Sequence, residues 1–101
     1  MKVLHPLLQA LKTRLDRIND IDVQANLHPD CWISGTKVSG LVTAAEGCKL
    51  YGAEIFGKVT IARYTSLWGP AIFISGQKEG VRIGAFCSIA RNCAMYETFH
   101  N

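Results

Sequence analysis

The sequence predicts an all-β fold, a solenoid of stacked coils with parallel strands, preceded by one short helix. Three observations predict it. From Ile21 onward an aliphatic residue, phenylalanine or methionine recurs about every six residues. A small residue recurs four places later, and glycine often stands at the third place of the same six-residue unit. The helical spacing of apolar residues before Ile21 does not continue beyond it.

The first element is an amphipathic helix, because the apolar residues near the start of the chain recur at helical spacing and most charged residues fall elsewhere. These apolar residues are Leu4, Leu7, Leu8, Leu11, Leu15 and Ile18. Pro6 suits a first helical turn. We therefore expect residues 1–20 to form a capping helix over the first coil, and residues 21–101 to form the coils.

Each six-residue unit has room for one short strand and one turn. A strand rises about 3.3 Å per residue, so one unit spans one side of a small prism. The large first-place residue and the small fifth-place residue point inward, and only stacked coils bury them. Two units, 33–37 and 50–54, are one residue short. The unit 73–82 is four residues too long and contains two glycines, so it is expected to loop out of the prism.

All four cysteines stand at fifth places, where a small apolar side chain is expected. They are Cys31, Cys48, Cys87 and Cys93. We interpret them as inert core thiols without disulfides. None forms a Cys-x-x-Cys pair, and the histidines lie far from them in sequence, so no metal site is predicted.

Composition argues against several function classes. The net charge of +3 comes from scattered Lys and Arg residues, which does not favour a nucleic-acid partner. No apolar stretch approaches the roughly 20 residues of a membrane helix. The first residues lack the apolar run of a signal peptide. We therefore expect a cytoplasmic protein that binds neither nucleic acid nor membrane.

Two stretches carry a family resemblance: "IFGKVTIARYTSLWGPAIFISG" at 55–76 and "IGAFCSIARNCAMYETFHN" at 83–101. They resemble the hexapeptide-repeat acyltransferases, whose fold is a left-handed parallel β-helix. Within that family they are most similar to the group of sugar and polysaccharide O-acetyltransferases and of xenobiotic acetyltransferases that act on chloramphenicol or streptogramins. The resemblance covers residues 21–101.

The resemblance implies a homotrimer that binds acetyl-CoA as co-substrate in a groove between subunits and needs no metal. It also implies that His100 is the general base, which takes the proton of an acceptor hydroxyl on a saccharide or an antibiotic. A neutral imidazole suits this role because its pKa lies near working pH. Glu97, three residues earlier, is a candidate carboxylate partner that orients His100.

Members of the family continue with further coils beyond this histidine, so the sequence is expected to be the N-terminal part of such an enzyme, truncated at the C-terminal end. Two alternatives stay open: an inactive truncated acetyltransferase, and a non-catalytic β-helical module for structure or assembly. The γ-class carbonic anhydrases share the fold but need three histidine ligands. His5, His28 and His100 are too far apart in the predicted solenoid to converge within one subunit.

Aromatic residues occupy outward places on four units, and we expect them to form a subunit interface. They are Trp32, Tyr51, Tyr64 and Trp68.

Overall fold

The computed structural model describes residues 19–97, which form β-strands and turns without a helix. The predicted capping helix of residues 1–20 lies outside the described residues except at its last two positions, and Asp20 already belongs to the first strand. The strands are β1 (Asp20–Ile21), β2 (Asn26–Leu27), β3 (Trp32–Ser34), β4 (Lys37–Ser39), β5 (Val42–Ala44), β6 (Lys49–Phe56), β7 (Val59–Ile61), β8 (Ser66–Ser75), β9 (Val81–Ile83), β10 (Ser88–Ile89) and β11 (Cys93–Tyr96).

All strand pairs are parallel and join neighbouring coils: strands of the central coils pair with the coil before and the coil after, and strands of the first and last described coils pair on one side. The first wall contains β1, β4, the second half of β6, the second half of β8, and β11. The second wall contains β2, β5, β7 and β9. The third wall contains β3, the first halves of β6 and β8, and β10. The predicted all-β parallel solenoid is therefore confirmed.

Successive coils in the first part of the molecule are offset by 17 residues. Asp20 pairs with Lys37, which pairs with Glu54. The same offset separates Trp32 from Lys49 on the third wall. A coil of this length holds two units of six residues and one of five. The short units 33–37 and 50–54 therefore occupy the same corner of the prism, between the third and first walls.

Each wall directs two side chains inward, separated by one outward residue. Val42 and Ala44 on β5 are buried with a solvent-exposed Thr43 between them. The buried apolar residues follow this pattern throughout the central coils: Val38, Val42, Ala44, Cys48, Leu50, Ala53, Ile55, Val59, Ile61, Leu67, Ile72 and Ile74. Full burial of one such aliphatic side chain contributes about 1.5–3 kcal/mol, so the column of stacked pairs holds the coils together.

The predicted inward pattern is wrong in the second half of β8. Phe73 is the first residue of the unit 73–82 and Ala71 is the fifth residue of the unit that starts at Leu67, so the pattern predicts that both point inward, but Ile72 and Ile74 are buried there and Ala71 is exposed. The cause is two extra residues at the corner between the third and first walls. Leu50 still pairs with Leu67, whereas Ala53 pairs with Ile72. The two residues lengthen the five-residue corner unit to seven, which is one more than the six that the pattern assigns. The inward positions that follow therefore lie one residue later than predicted.

The small residues between the second and third walls also donate hydrogen bonds. The Cys31 thiol donates to the Ala45 carbonyl at 3.2 Å, and the Cys48 thiol donates to the Ala62 carbonyl at 3.1 Å. In the next coil the Thr65 hydroxyl donates to the Gly84 carbonyl at 2.6 Å. Each bond satisfies a turn carbonyl of the following coil, so these places select a short side chain with a donor.

The interpretation of the cysteines as core thiols holds for Cys48, which is buried, and in part for Cys31 and Cys93, which are half-buried. It is wrong for Cys87, which is exposed on the last described coil because no later described coil covers it. Burial raises the pKa of the Cys31 thiol and so keeps it protonated as a donor. All four cysteines are free.

Candidate functional site

The candidate site begins where β11 ends. Glu97 directly follows this strand. His100, the predicted general base, lies outside the described residues, so its placement and its contact with Glu97 stay predictions. Four register pairs with β8, from Cys93–Ile72 to Tyr96–Ser75, fix β11 against the preceding coil. The Glu97 N–H continues this ladder by donating to the Ser75 carbonyl at 2.9 Å.

The Glu97 carboxylate binds the loop that connects β8 to β9, which consists of residues 76–80 (the 76–80 loop). The Gly80 N–H donates to both carboxylate oxygens at 2.8 Å. The Glu79 N–H donates to Oε1 at 2.9 Å. The Gln77 N–H donates at 3.2 Å to Oε1 and 3.3 Å to Oε2. Three backbone donors thus converge on one carboxylate.

This loop is the protruding part of the predicted 73–82 insertion, because residues 73–75 and 81–82 belong to strands. Its base packs against the preceding coil. The Gly76 N–H donates to the Phe56 carbonyl at 2.9 Å, and the Val81 N–H donates to the Lys58 carbonyl at 3.0 Å. A Cβ added at Gly57 would overlap the Gly76 carbonyl oxygen. Glycine is therefore required at Gly57 for the loop to lie at the corner between the first and second walls (the loop corner).

Asp22 is the counterpart of Glu97 in the first coil, at the same corner. Its carboxylate accepts the Gln24 N–H and the Gly40 N–H, both at 3.1 Å. These backbone donors hold the pKa of the Asp22 carboxyl below its ordinary value. A carboxylate at the loop corner therefore joins neighbouring coils near both ends of the described solenoid.

A groove runs along the opposite end of the first wall, at the corner of the short units (the glycine corner). Its volume is about 480 Å³, and its lining includes Gly52, Pro70, Phe73 and Asn92. Left-handed backbone at Gly35 and Gly52 makes this corner tight. Strand β11 spans the first wall from this groove to Glu97. Four residues of strand cover about 13 Å.

The outer face of the first wall connects the groove with Glu97 and carries a row of aromatic rings. Phe56 and Phe73 have ring centroids 5.2 Å apart, and Phe73 and Tyr96 are also 5.2 Å apart. Tyr96 is 61% exposed at the end of this row. The Lys37 ammonium group lies 6.0 Å from the Phe56 ring. Sequence reasoning missed this row because it placed Phe73 inside the prism.

The predicted outward aromatic residues do point outward. Trp32 is 67% exposed, and Trp68 and Tyr64 are also exposed. Tyr51 is half-buried because it packs against Trp68 at 5.2 Å. Tyr64 stacks on Phe86 at 5.5 Å, a partner that the six-residue units could have indicated, since both stand at fourth places.

Among the described residues, candidate ligand groups outside this region do not cluster. His28 is exposed, and its Nδ1 accepts the Asp30 N–H at 3.1 Å. Among residues 19–97 no three His, Cys, Asp or Glu side chains lie close enough together to share a metal ion. The same residues include no helix with the length and apolar character to cross a membrane.

Comparison with known proteins gave no match for this chain among protein-family models, curated proteins or solved structures.

Proposed function

We propose that the protein is an acetyl-CoA-dependent O-acetyltransferase with a left-handed β-helix, and that it acetylates a hydroxyl of a saccharide or of an antibiotic. The observation that carries the proposal is the parallel solenoid of six-residue units. In it residues 83–97, the greater part of the motif "IGAFCSIARNCAMYETFHN", form the last described coil, and the sequence continues to a histidine three residues later. Both features are those of the hexapeptide-repeat acyltransferases that the sequence resembles.

His100 is the general base in this proposal. Its neutral imidazole takes the proton of the acceptor hydroxyl while the hydroxyl oxygen attacks the thioester carbonyl carbon of acetyl-CoA. A carbon–oxygen bond forms, the carbon–sulfur bond breaks, and the imidazolium returns the proton to the departing CoA thiolate. The products are the acetyl ester and CoA, and the imidazole is regenerated. The reaction needs no metal.

The anchoring of β11 supports this role. A catalytic group is best placed by a rigid element, and β11 is paired with β8 along its whole length and continued by Glu97. Three residues of chain span at most about 11 Å, so the proposal puts His100 within that reach of Glu97. The groove at the other end of β11 has the volume of a small-molecule site and suits the narrow pantetheine arm of acetyl-CoA.

We further propose that the protein is a homotrimer. Aromatic side chains are enriched at subunit interfaces compared with the rest of the protein surface. Trp32, Trp68 and Phe86 are exposed aromatic residues of this kind. Burial of these rings between neighbouring prisms would remove apolar surface from water and would place a groove of each subunit beside the next subunit.

A second candidate is a non-catalytic or inactive module that self-associates, and a specific observation favours it. Ile89 and Met95 on the last described coil are only half-buried, whereas Leu67 and Ile74 at the same places of the previous coil are fully buried. Strand edges and partly exposed apolar positions of this kind favour stacking of a further coil or a second copy.

The test uses the purified chain, its molar mass by light scattering, and acetyl-CoA titration by calorimetry. Acetyl transfer to a panel of saccharides and chloramphenicol is then followed by release of the CoA thiol. We expect a trimer that binds acetyl-CoA. His100→Ala should keep the trimer mass and acetyl-CoA affinity but lower the transfer rate at least about 100-fold. A chain that forms larger assemblies without acetyl-CoA binding would contradict the enzyme and support the second candidate.

A further inference from the structure

Between its two ends the 76–80 loop is held by hydrogen bonds to Glu97. The side chains of Gln77, Lys78 and Glu79 are exposed, so the loop has no buried anchor of its own between its ends. Its two ends are fixed by the backbone bonds of Gly76 and Val81 to the preceding coil. Between these ends the described hydrogen bonds of the loop are those of the three N–H groups that bind the Glu97 carboxylate, and Lys58 packs against Gly80.

These bonds use most of the acceptor capacity of the carboxylate. An ionised carboxylate offers about four lone-pair positions. Oε1 receives the N–H groups of all three loop residues, and Oε2 receives those of Gln77 and Gly80. Charge-assisted bonds of this kind are roughly twice as strong as neutral ones. The carboxylate is therefore held toward the loop and has little capacity left for an imidazole.

We propose that Glu97 is a positioning residue that acts through the 76–80 loop. Its carboxylate binds the backbone N–H groups of the loop (the Glu97–loop contact), which holds the loop at the end of β11 and so fixes the start of the segment that carries His100. This inference rests on the proposed function, since it assigns Glu97 a role relative to the base of that reaction. It differs from direct orientation of the imidazole by Glu97, because here the carboxylate binds backbone N–H groups and the base is positioned by the resulting rigid corner.

The Glu97–loop contact is tested without any activity assay. Amide hydrogen exchange is measured by NMR for Gln77, Glu79 and Gly80 in the wild type, Glu97→Ala and Glu97→Gln. Glu97→Ala should speed exchange of the three amides about tenfold or more, because it removes their common acceptor. Glu97→Gln keeps one acceptor oxygen and should give an intermediate increase. Unchanged exchange in Glu97→Ala would overturn the proposal.

Two control variants separate the effect of the Glu97–loop contact on amide exchange from the effects of charge and of general destabilisation. Glu79→Gln removes one negative charge from the same loop but keeps the backbone donor, and exchange at the three amides should stay within about twofold of wild type. Asp22→Ala removes the matching carboxylate at the other end of the solenoid. It should leave exchange at the 76–80 loop unaltered, whereas an equal increase there would overturn a local role of Glu97.

Acetyl transfer then distinguishes the two possible roles of Glu97. If Glu97 acts through the loop, Glu97→Ala lowers kcat about tenfold but leaves the midpoint of the acid limb of the pH–rate profile in place. If Glu97 binds the imidazole directly, its removal also moves that midpoint down by about one pH unit, because a carboxylate partner favours the protonated imidazole. The second result would overturn the proposal. A wild-type chain with slow loop exchange but no acetyl transfer would overturn the proposed function and, with it, the positioning role.

Discussion

Two regions of the solenoid are built on different principles. The first coils repeat every 17 residues, and each wall places the same inward pair over the pair before it. From the second half of β8 onward the offset between coils grows to between 19 and 22 residues, as in the pairing of Ala53 with Ile72 and of Ser66 with Ser88. The extra residues leave the walls intact and accumulate at corners.

The two regions also differ in what holds them. The regular coils are held mainly by buried aliphatic stacking, which many residues of suitable size and shape can provide, together with single contacts such as that of Asp22 with Gly40. The irregular coils keep their walls in the same way, but their additional residues need specific contacts, such as the Glu97 carboxylate and the close approach of Gly57 to Gly76. The proposed site lies in the irregular region, where the chain departs from the repeat.

The largest expected effect tests whether stacking is strongest in the regular region. Leu50→Ala removes a side chain that is fully buried on the third wall, and we expect it to lower the free energy of unfolding by about 2–5 kcal/mol. Ile89→Ala, on the same wall in the last described coil, should cost only about 1 kcal/mol because Ile89 is half-buried. Urea unfolding followed by circular dichroism measures both.

The result also bears on what covers the last coil in solution. An Ile89→Ala cost equal to that of Leu50→Ala, at a protein concentration where the wild type is associated, would mean that another surface buries Ile89. Repeating the measurement at a tenfold lower protein concentration separates this case, since a cost that depends on association falls on dilution.

The next effect concerns the boundary between the regions. Gly57→Ala introduces a Cβ that overlaps the Gly76 carbonyl oxygen at a residue with φ of 80°. We expect it to cost roughly 3 kcal/mol or more, since both the left-handed backbone and the loop base are disturbed. Gly35→Ala is the matched control, because its φ is 59° and no atom lies within 4 Å of the added Cβ. It should cost only about 1–2 kcal/mol.

Thermal unfolding and amide exchange of the 76–80 loop report on this pair of variants. Gly57→Ala should also speed exchange in the loop, and Gly35→Ala should not. Equal costs for the two substitutions would show that left-handed backbone alone matters at these positions and that the loop base adapts to the extra methyl group.

The contrast explains how far the sequence predicts the molecule. The six-residue period predicted the parallel solenoid and most of the inward residues, because the same packing requirement recurs in every coil. It failed at Phe73, where two inserted corner residues shift the register, since an insertion has no period to reveal it. The sequence marked Glu97 as a candidate for its spacing from His100. Its actual partners, the N–H groups of a loop 17–20 residues earlier, are backbone groups that no sequence motif distinguishes.

The smallest effect concerns the side-chain donors between the second and third walls, Cys31, Cys48 and Thr65 (the donor column), which extend from the regular region into the irregular one. Thr65 donates to the Gly84 carbonyl in the irregular region just as Cys48 donates to Ala62 within the regular one. Thr65→Val keeps the shape but leaves this carbonyl and the Cys87 N–H, which donates to the hydroxyl at 3.3 Å, without a protein partner. We expect a loss of about 1–2 kcal/mol in the free energy of unfolding by urea. Thr65→Cys restores the donor used in the regular coils and should recover roughly half of that loss, because a thiol is a weaker donor than a hydroxyl. A Thr65→Val variant as stable as wild type would mean that water satisfies the Gly84 carbonyl equally well, and that small size alone selects the residues of this column in both regions.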